Sequence, residues 1–320
     1  MLETLKFVRG AVATKDFQPA LTHFRIKDGR VMGYNGTIAL SSPIALDVNA
    51  SPKAVPFVKA IERCQNATTV VHMTPAGRIS LKSGKFKVII ECCEESEVMD
   101  AIVPEGEMMP TPATFVETLK LLDRFVCTDA TPDRRWSNGI LLRGQSAYAT
   151  SNIVIVEKWL GQQLPFEVNI PGPAVKEILR IGLEPVGIQI GERSITMHYP
   201  GERWLRAQMW DVQWPDLSVY LDQSGEFEPF PPELFDAAET LKPFYDIEGR
   251  LFFRGDRVST SADEGAGGSI EMSGVPLRGA FHHVHLLSLK GVADTIDFTK
   301  RPAPFRGNLL RGVILPMHDE

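Results

Sequence analysis

Leu141-Leu142-Arg143-Gly144 and Phe252-Phe253-Arg254-Gly255 carry one pattern, two large apolar residues then arginine and glycine, at an offset of 111 residues. Apolar positions that stop at a cation and a glycine read as a strand running into a turn. Arg30-Val31-Met32-Gly33-Tyr34-Asn35-Gly36 occupies the equivalent place nearer the N-terminus. Three such stretches in 320 residues divide the chain into pieces of roughly a hundred residues, each the size of a small domain.

Working outward, each stretch sits between two helix candidates. The first set covers 2–9, 113–125 and 232–241; the second covers 52–64, 171–181 and 281–289. Phe115, Leu119 and Leu122 recur at helical spacing, with Pro112 near the helix start, where a missing N–H costs nothing. Ala174, Val175, Ile178 and Leu179 make one apolar face in the same way. Strands close each unit, as in 78–90, where Ser83-Gly84 reads as a hairpin turn between alternating runs. Two Pro-, Gly- and Glu-rich stretches, 104–112 and 222–232, read as linkers. The order helix, strands, helix, strands, three times over, predicts an α+β fold of three tandem domains, 1–107, 108–222 and 223–320.

Composition excludes several classes. At 43% hydrophobic and 23% charged, the chain is neither collagen-like, disordered nor a disulfide scaffold. No apolar run is long enough for a spanning helix, so no membrane partner is expected. MLETLKFVRG has Glu3 and no apolar h-region, which is not the pattern of a signal peptide. Cys64, Cys92, Cys93 and Cys127 lack CxxC spacing and fit a reducing, cytoplasmic setting. Cys92-Cys93 alternates across a strand, placing one thiol toward the core. The formal charge is −6, whereas a protein that holds nucleic acid by charge alone is basic.

Catalytic and cofactor signatures are missing. There is no GxxxxGK[ST] loop and no GxSxG elbow, and Thr150-Ser151-Asn152 lacks the glycines that expose a nucleophile. Gly265-Ala-Gly-Gly268 follows Asp263-Glu264, whose charge repels phosphate, and reads as a hairpin loop. His282-His283-Val284-His285 has no acidic or cysteine partner at a ligand spacing. On the candidate helix His282 and His285 project to a different face from His283, so the run reads as a polar helix face rather than a metal site. No cofactor or metal is expected. Arg134-Arg135-Trp136, in a polar loop, pairs two guanidiniums with an indole, a set that binds phosphate and stacks on a base. A surface loop whose Trp covers its own core edge reads equally well. The six helix windows together carry +3, leaving −9 on the rest, so the helices form the less acidic surface.

These residues resemble the bacterial-type DNA polymerase III beta subunit, the sliding clamp, as a divergent member. Val313-Ile314-Leu315-Pro316-Met317 is similar to the family's terminal Val-Val-Met-Pro-Met, and Trp214-Pro215-Asp216-Leu217 to its Phe-Pro-Asp-Tyr. Asn138-Gly139-Ile140-Leu141 with Ala149-Thr150-Ser151 resembles Asn-Gly-x-x then Ala-Thr-Asp, and the stretch 15–21 occupies the place of an Arg-Pro-Thr-Leu-Pro-Ile-Leu segment. The resemblance covers nearly the whole chain.

What it implies is a non-catalytic processivity factor, a head-to-tail homodimer ring around duplex DNA with helices lining the hole and sheets outside. A ring retains DNA by topology, which removes the need for the tight, salt-sensitive phosphate affinity of ordinary binding. The resemblance places Lys6, Arg9, Lys53, Lys59, Lys120, Arg124, Lys176 and Arg180 on the inner wall, and Lys15, Arg134, Arg135 and Trp136 in DNA-contacting loops. It implies an apolar pocket for a short linear motif of polymerase or clamp loader, formed by Thr150, Ile153, Val154, Ile155, Pro215 and Val219 with Tyr220, Val313, Leu315, Pro316 and Met317. Here Ile153-Val154 stands for a His-Arg pair, Val219 for an Arg and His318 for an Arg, so the pocket is expected to be more apolar. The subunit interface falls on Lys85, Lys87, Val88 and Ile90 of an edge strand, facing Phe244 and Tyr245 near Asp246 and Glu248. The alternative is a clamp-like scaffold that binds replication partners without encircling DNA. A hydrolase or metalloenzyme rests on the histidine run alone.

Overall fold

A computed structural model of the chain describes residues 1–15, 18–64, 68–98, 100–263, 266–276 and 278–318. The fold is α+β, built of antiparallel strands with short helices. The first third runs α1 (Leu2–Val8), β1 (Arg25–Lys27), β2 (Arg30–Tyr34), β3 (Ile38–Pro43), α2 (Ala54–Arg63), β4 (Val70–Met73), β5 (Ile79–Ser83) and β6 (Phe86–Ile90). The second runs β7 (Met108–Met109), α3 (Phe115–Leu122), β8 (Gly139–Arg143), β9 (Ser146–Thr150), β10 (Val154–Trp159) and β11 (Val168–Pro171), then α4 (Gly172–Ile181), β12 (Gly187–Ile190), β13 (Ser194–Tyr199) and β14 (Arg203–Gln208). The last begins with α5 (Ser218–Leu221), β15 (Glu228–Pro229), α6 (Leu234–Thr240), β16 (Arg250–Phe253), β17 (Arg257–Ser259) and β18 (Ser269–Glu271). It closes with β19 (Gly279–His282), α7 (His283–Leu287), β20 (Thr295–Ile296), β21 (Ala303–Gly307) and β22 (Leu310–Ile314).

All six helix candidates form. In α2, Ala54, Phe57, Val58, Ala60 and Ile61 are buried while Lys59, Glu62 and Arg63 stay outside, the partition expected of a helix with one apolar face on a sheet. The last candidate starts later than its sequence suggests. His282 is extended and ends β19, and its Nδ1 accepts the Val284 N–H, so α7 begins at His283. Both apolar-apolar-Arg-Gly stretches are strands that run into a turn, with Gly144 and Gly255 at φ +61° and +79°. Asp16, Phe17, Glu264 and Gly265, which belong to the 15–21 stretch and to the glycine loop, lie outside the described residues.

The chain divides into two compact units, Met1–Val116 with Pro173–Asp211, and Glu117–Gly172 with Val212–Glu320. The divisions fall inside the middle repeat because strand pairing joins successive repeats. The first unit holds a sheet in the order β1-β2-β3-β14-β13-β12-β7 and a smaller one, β4-β5-β6. The second holds β11-β8-β9-β10-β22-β21-β20-β15 and the smaller β18-β17-β16-β19. Each large sheet is closed in the middle by a junction between two repeats. Leu40 of β3 faces Leu205 of β14, and Val156 of β10 faces Gly312 of β22. Those two pairs occupy equivalent positions. Leu40 and Val156 hold the same register against the preceding strand (Gly33↔Leu40, Ala149↔Val156), and Leu205 and Gly312 each lie two places past the first ladder pair of their hairpins (Tyr199↔Arg203, Gly307↔Leu310), whose loops differ in length by one residue. The second unit's core includes a cluster of Phe253, Phe281 and Phe298 with ring centroids 5.4–5.7 Å apart, edge-on or tilted as ring quadrupoles prefer.

Candidate functional site

Basic side chains stand on the solvent faces of the first unit's helices. Lys6 on α1, Arg9 in the turn after it, Lys59 on α2, and Lys176 and Arg180 on α4 are exposed, as are Lys53 just before α2 and Lys15 in its loop. Lys6 lies 3.9 Å from Glu3 and 3.8 Å from Glu62, exposed contacts too weak to occupy it. Arg180 is different. Its Nε donates to both Glu177 carboxylate oxygens at 2.9 Å and its Nη2 to the Phe7 carbonyl at 2.9 Å. Glu177 is buried, so Arg180 neutralises it and ties α4 to α1. This revises the expectation of Arg180 as a free inner-wall cation.

In the second unit, Lys120 on α3 is exposed, whereas Arg124 donates to the Ser288 and Lys290 carbonyls at 3.4 and 3.3 Å. Arg134 and Arg135 project from the turn 132–137. Trp136 does not. Its ring tilts against Trp214 at 5.0 Å within a cluster that includes Leu141, Leu217 and Leu221, so the indole covers its own core edge and is not a stacking platform. On α6, Asp236 and Glu239 share Lys290 at 3.0 Å each, an acidic surface that binds its own lysine.

The second unit also carries an apolar pocket. The C-terminal segment leaves β22 and is pinned twice: the Leu315 N–H donates to the Ile153 carbonyl, and the Met317 N–H to the Ala280 carbonyl, both at 2.8 Å. Ile153, Leu315, Pro316 and Met317 form the apolar side of a cavity of about 370 Å³. Its other side is Glu248, Arg250, His282, His285 and His318. Nearby, α5 buries Leu221 with Leu217 and Trp214 and turns Val219 (73% exposed) and Tyr220 outward; Asp216, in the turn ahead of the helix, accepts the Ser218 N–H at 2.9 Å. Pro215 is exposed and Leu315 is 46% exposed. Three residues assigned to the pocket are instead its backing. Thr150, Val154 and Val313 are buried, with the Thr150 hydroxyl donating to the Val154 carbonyl at 2.8 Å. Ile155 packs on the Trp214 cluster.

The histidine wall is what sequence reasoning missed. His283 donates Nδ1–H to the Gly249 carbonyl at 2.9 Å and stacks on Tyr245 at 4.0 Å; the His282 ring lies 5.0 Å from His283 and 5.1 Å from His285. Helical spacing separates 282 from 283, but His282 is still in the strand, which brings the rings together. Among the described residues no three His, Cys, Asp or Glu are placed to hold a metal ion. Burial, helped by the neighbouring His282 and His283, holds His285 down to about 4, and burial, then His283, lowers His282. Both rings are therefore neutral at pH 7. An unfolded histidine takes its proton near pH 6.5, so the native state binds fewer protons and loses stability as pH falls from there toward 4. With allowance for solvent screening, the loss between pH 7 and 5 is expected to be about 1 kcal/mol. Urea unfolding at both pH values checks this, and His285→Gln should flatten the difference.

The four cysteines are free and half-buried. Cys92 and Cys93 are both half-buried, and burial pushes the Cys93 thiol up to about 11. At the strand edges, Lys85 and Lys87 are exposed and Val88 half-buried, but Ile90 is only 3% exposed and belongs to its own core; Ile89, at 53%, is the outward residue. Phe244 is exposed, whereas Tyr245 is held internally by His283 and by its hydroxyl, which donates to the Ala238 carbonyl at 2.7 Å.

Antiparallel sheets backed by short helices, in this arrangement, are a fold the chain shares with solved DNA polymerase sliding clamps. The chain is similar over 99% of its length to the DNA polymerase sliding clamp from Bacillus subtilis (18% identity, 96% of that chain, TM-score 0.80). It is similar over the same share to the DNA polymerase III subunit beta from Pseudomonas aeruginosa (16%, 97%, 0.80) and to a Helicobacter pylori beta clamp bound to a DNA ligase peptide (13%, 97%, 0.78). At these identities the likeness is one of fold. No protein-family model and no curated protein sequence matches the chain.

Proposed function

We propose that this chain is a non-catalytic DNA sliding clamp: a head-to-tail homodimer that encircles duplex DNA and tethers the replicative polymerase in the cytoplasm. One observation carries the reading furthest. Two equivalent junctions close the large sheets, while β6 and β18, at the rims of the two small sheets, each have a partner on one side only among the described residues. Unpaired edges invite continuation, and a second copy supplies the matching edge for each. Three domains per copy, 1–107, 108–222 and 223–320, belong to this reading. So does a DNA path along the exposed cations Lys6, Arg9, Lys15, Lys53, Lys59, Lys120, Arg134, Arg135 and Lys176. Their sparseness suits sliding, which tight phosphate contacts would slow. Polymerase and clamp-loader segments with leucine and aromatic anchors would dock at Ile153, Pro215, Val219, Tyr220 and Leu315–Met317, much as a beta clamp from another organism holds a ligase peptide.

The scaffold reading draws on Arg124, Arg180 and the acidic α6, which leave fewer cations for DNA. One experiment separates the two. Loaded with a clamp loader and ATP onto nicked circular DNA, the protein should co-elute with the circle through gel filtration and fall off after linearisation. Equal retention on both forms overturns encirclement, and no retention on either favours the scaffold.

A further inference from the structure

We propose that β6 of one copy pairs with β18 of another in one defined register, with Lys85 opposite Glu271, Phe86 opposite Ile270 and Lys87 opposite Ser269. The proposal rests on the ring reading and adds to it which residues meet.

The register follows from the chain's own repetition. β16–β18 reproduces β8–β10: Phe252 faces Ser259 as Leu141 faces Tyr148, and Ser259 faces Ser269 as Tyr148 faces Glu157. Arg257 likewise faces Glu271 as Ser146 faces Trp159. Ser269, Ile270 and Glu271 therefore take the places of Glu157, Lys158 and Trp159. On the other strand, β5–β6 reproduces β21–β22, each hairpin closing through two residues, after Ser83↔Phe86 and Gly307↔Leu310. Lys82 and Lys87 face outward as Arg306 and Arg311 do, and Ile90 is buried as Ile314 is. Lys85, Phe86 and Lys87 thus take the places of Leu309, Leu310 and Arg311.

The closed junction between β10 and β22 shows how those places meet. Glu157 faces Arg311, Lys158 faces Leu310, and the Trp159 N–H donates to the Leu309 carbonyl at 2.9 Å. Substituting the equivalents yields the three pairs. Their chemistry agrees with the geometry. Lys85 meets an opposite charge, and half-buried Phe86 meets half-buried Ile270. A one-residue slip would turn every side chain to the wrong face. Phe244 packs beside Gly268 at the start of β18 and so flanks this interface, whereas Tyr245, held inside its unit, does not join it.

Directly opposite residues in an antiparallel pair lie within disulfide reach. Lys87→Cys/Ser269→Cys alters two exposed positions, so folding should survive, and mild oxidation should give a covalent dimer on a non-reducing gel. Lys87→Cys/Ile270→Cys, one step out of register, should not cross-link. Lys85→Glu alone should raise the dimer dissociation constant about three- to tenfold, and adding Glu271→Lys should bring it back. If the unmodified protein is a dimer but the offset pair cross-links, or neither pair does, the register is overturned while the ring reading stands. A unmodified protein that remains monomeric at micromolar concentration in sedimentation overturns the ring reading, and the register with it.

Discussion

Gly312→Val is expected to destabilise the second unit by about 3–5 kcal/mol, more than any surface change in the chain. A Cβ at this position would lie 2.3 Å from the Phe305 ring and 2.4 Å from the Ile155 carbonyl oxygen. Neither neighbour can yield. Phe305 is fully buried in β21, and Ile155 belongs to β10, directly across the ladder. A branched side chain must part β22 from one of its two partners, forfeiting ladder hydrogen bonds as well as packing. It also dislodges the C-terminal exit that places Leu315 and Met317 at the pocket. Urea unfolding followed by circular dichroism measures the loss. Gly29→Ala is the control: Gly29 has φ +71° but open space around it, so only backbone strain of about 1 kcal/mol is expected. Equal effects from the two variants would show that the β10–β22 junction tolerates volume.

Leu315→Asp is expected to weaken capture of a partner segment by thirtyfold or more, roughly the 2 kcal/mol of one buried anchor. Leu315 is exposed yet held by its own backbone bond to Ile153, so it is a pre-positioned apolar contact that costs little entropy to use. A carboxylate there would be desolvated by the incoming leucine or phenylalanine, while Arg250, which lines the same cavity, is already engaged by Asp246 and Glu248 at 3.1 and 3.2 Å. Fluorescence anisotropy with a labelled peptide bearing leucine and phenylalanine anchors reads the affinity. The same variant should keep the dimer mass of the unmodified protein in sedimentation, because Leu315 lies on neither β6 nor β18. Unchanged peptide affinity would move the docking site elsewhere.

Legibility in the sequence followed the range of the interactions concerned. Helical spacing in 113–125 and 171–181, the glycines ending the strands at Gly144 and Gly255, and the Ser83-Gly84 turn were readable because each depends on neighbours a few residues away. Outward lysines and arginines could be placed on helices for the same reason. Their engagement could not. Arg180 meets the Phe7 carbonyl and Arg124 meets those of Ser288 and Lys290, partners that only folding brings near.

The linear chain alone determined the α+β class and the acidic balance, since periodicity and composition are properties of order along the backbone. Tertiary structure decided that Trp136 is spent on Trp214, that Thr150, Val154 and Val313 stand behind the pocket rather than in it, and that His282 and His285 help line it. Those outcomes turn on which faces meet across sheets joined from distant repeats. A period of two or of 3.6 tells which residues share a face, but not what that face will find opposite.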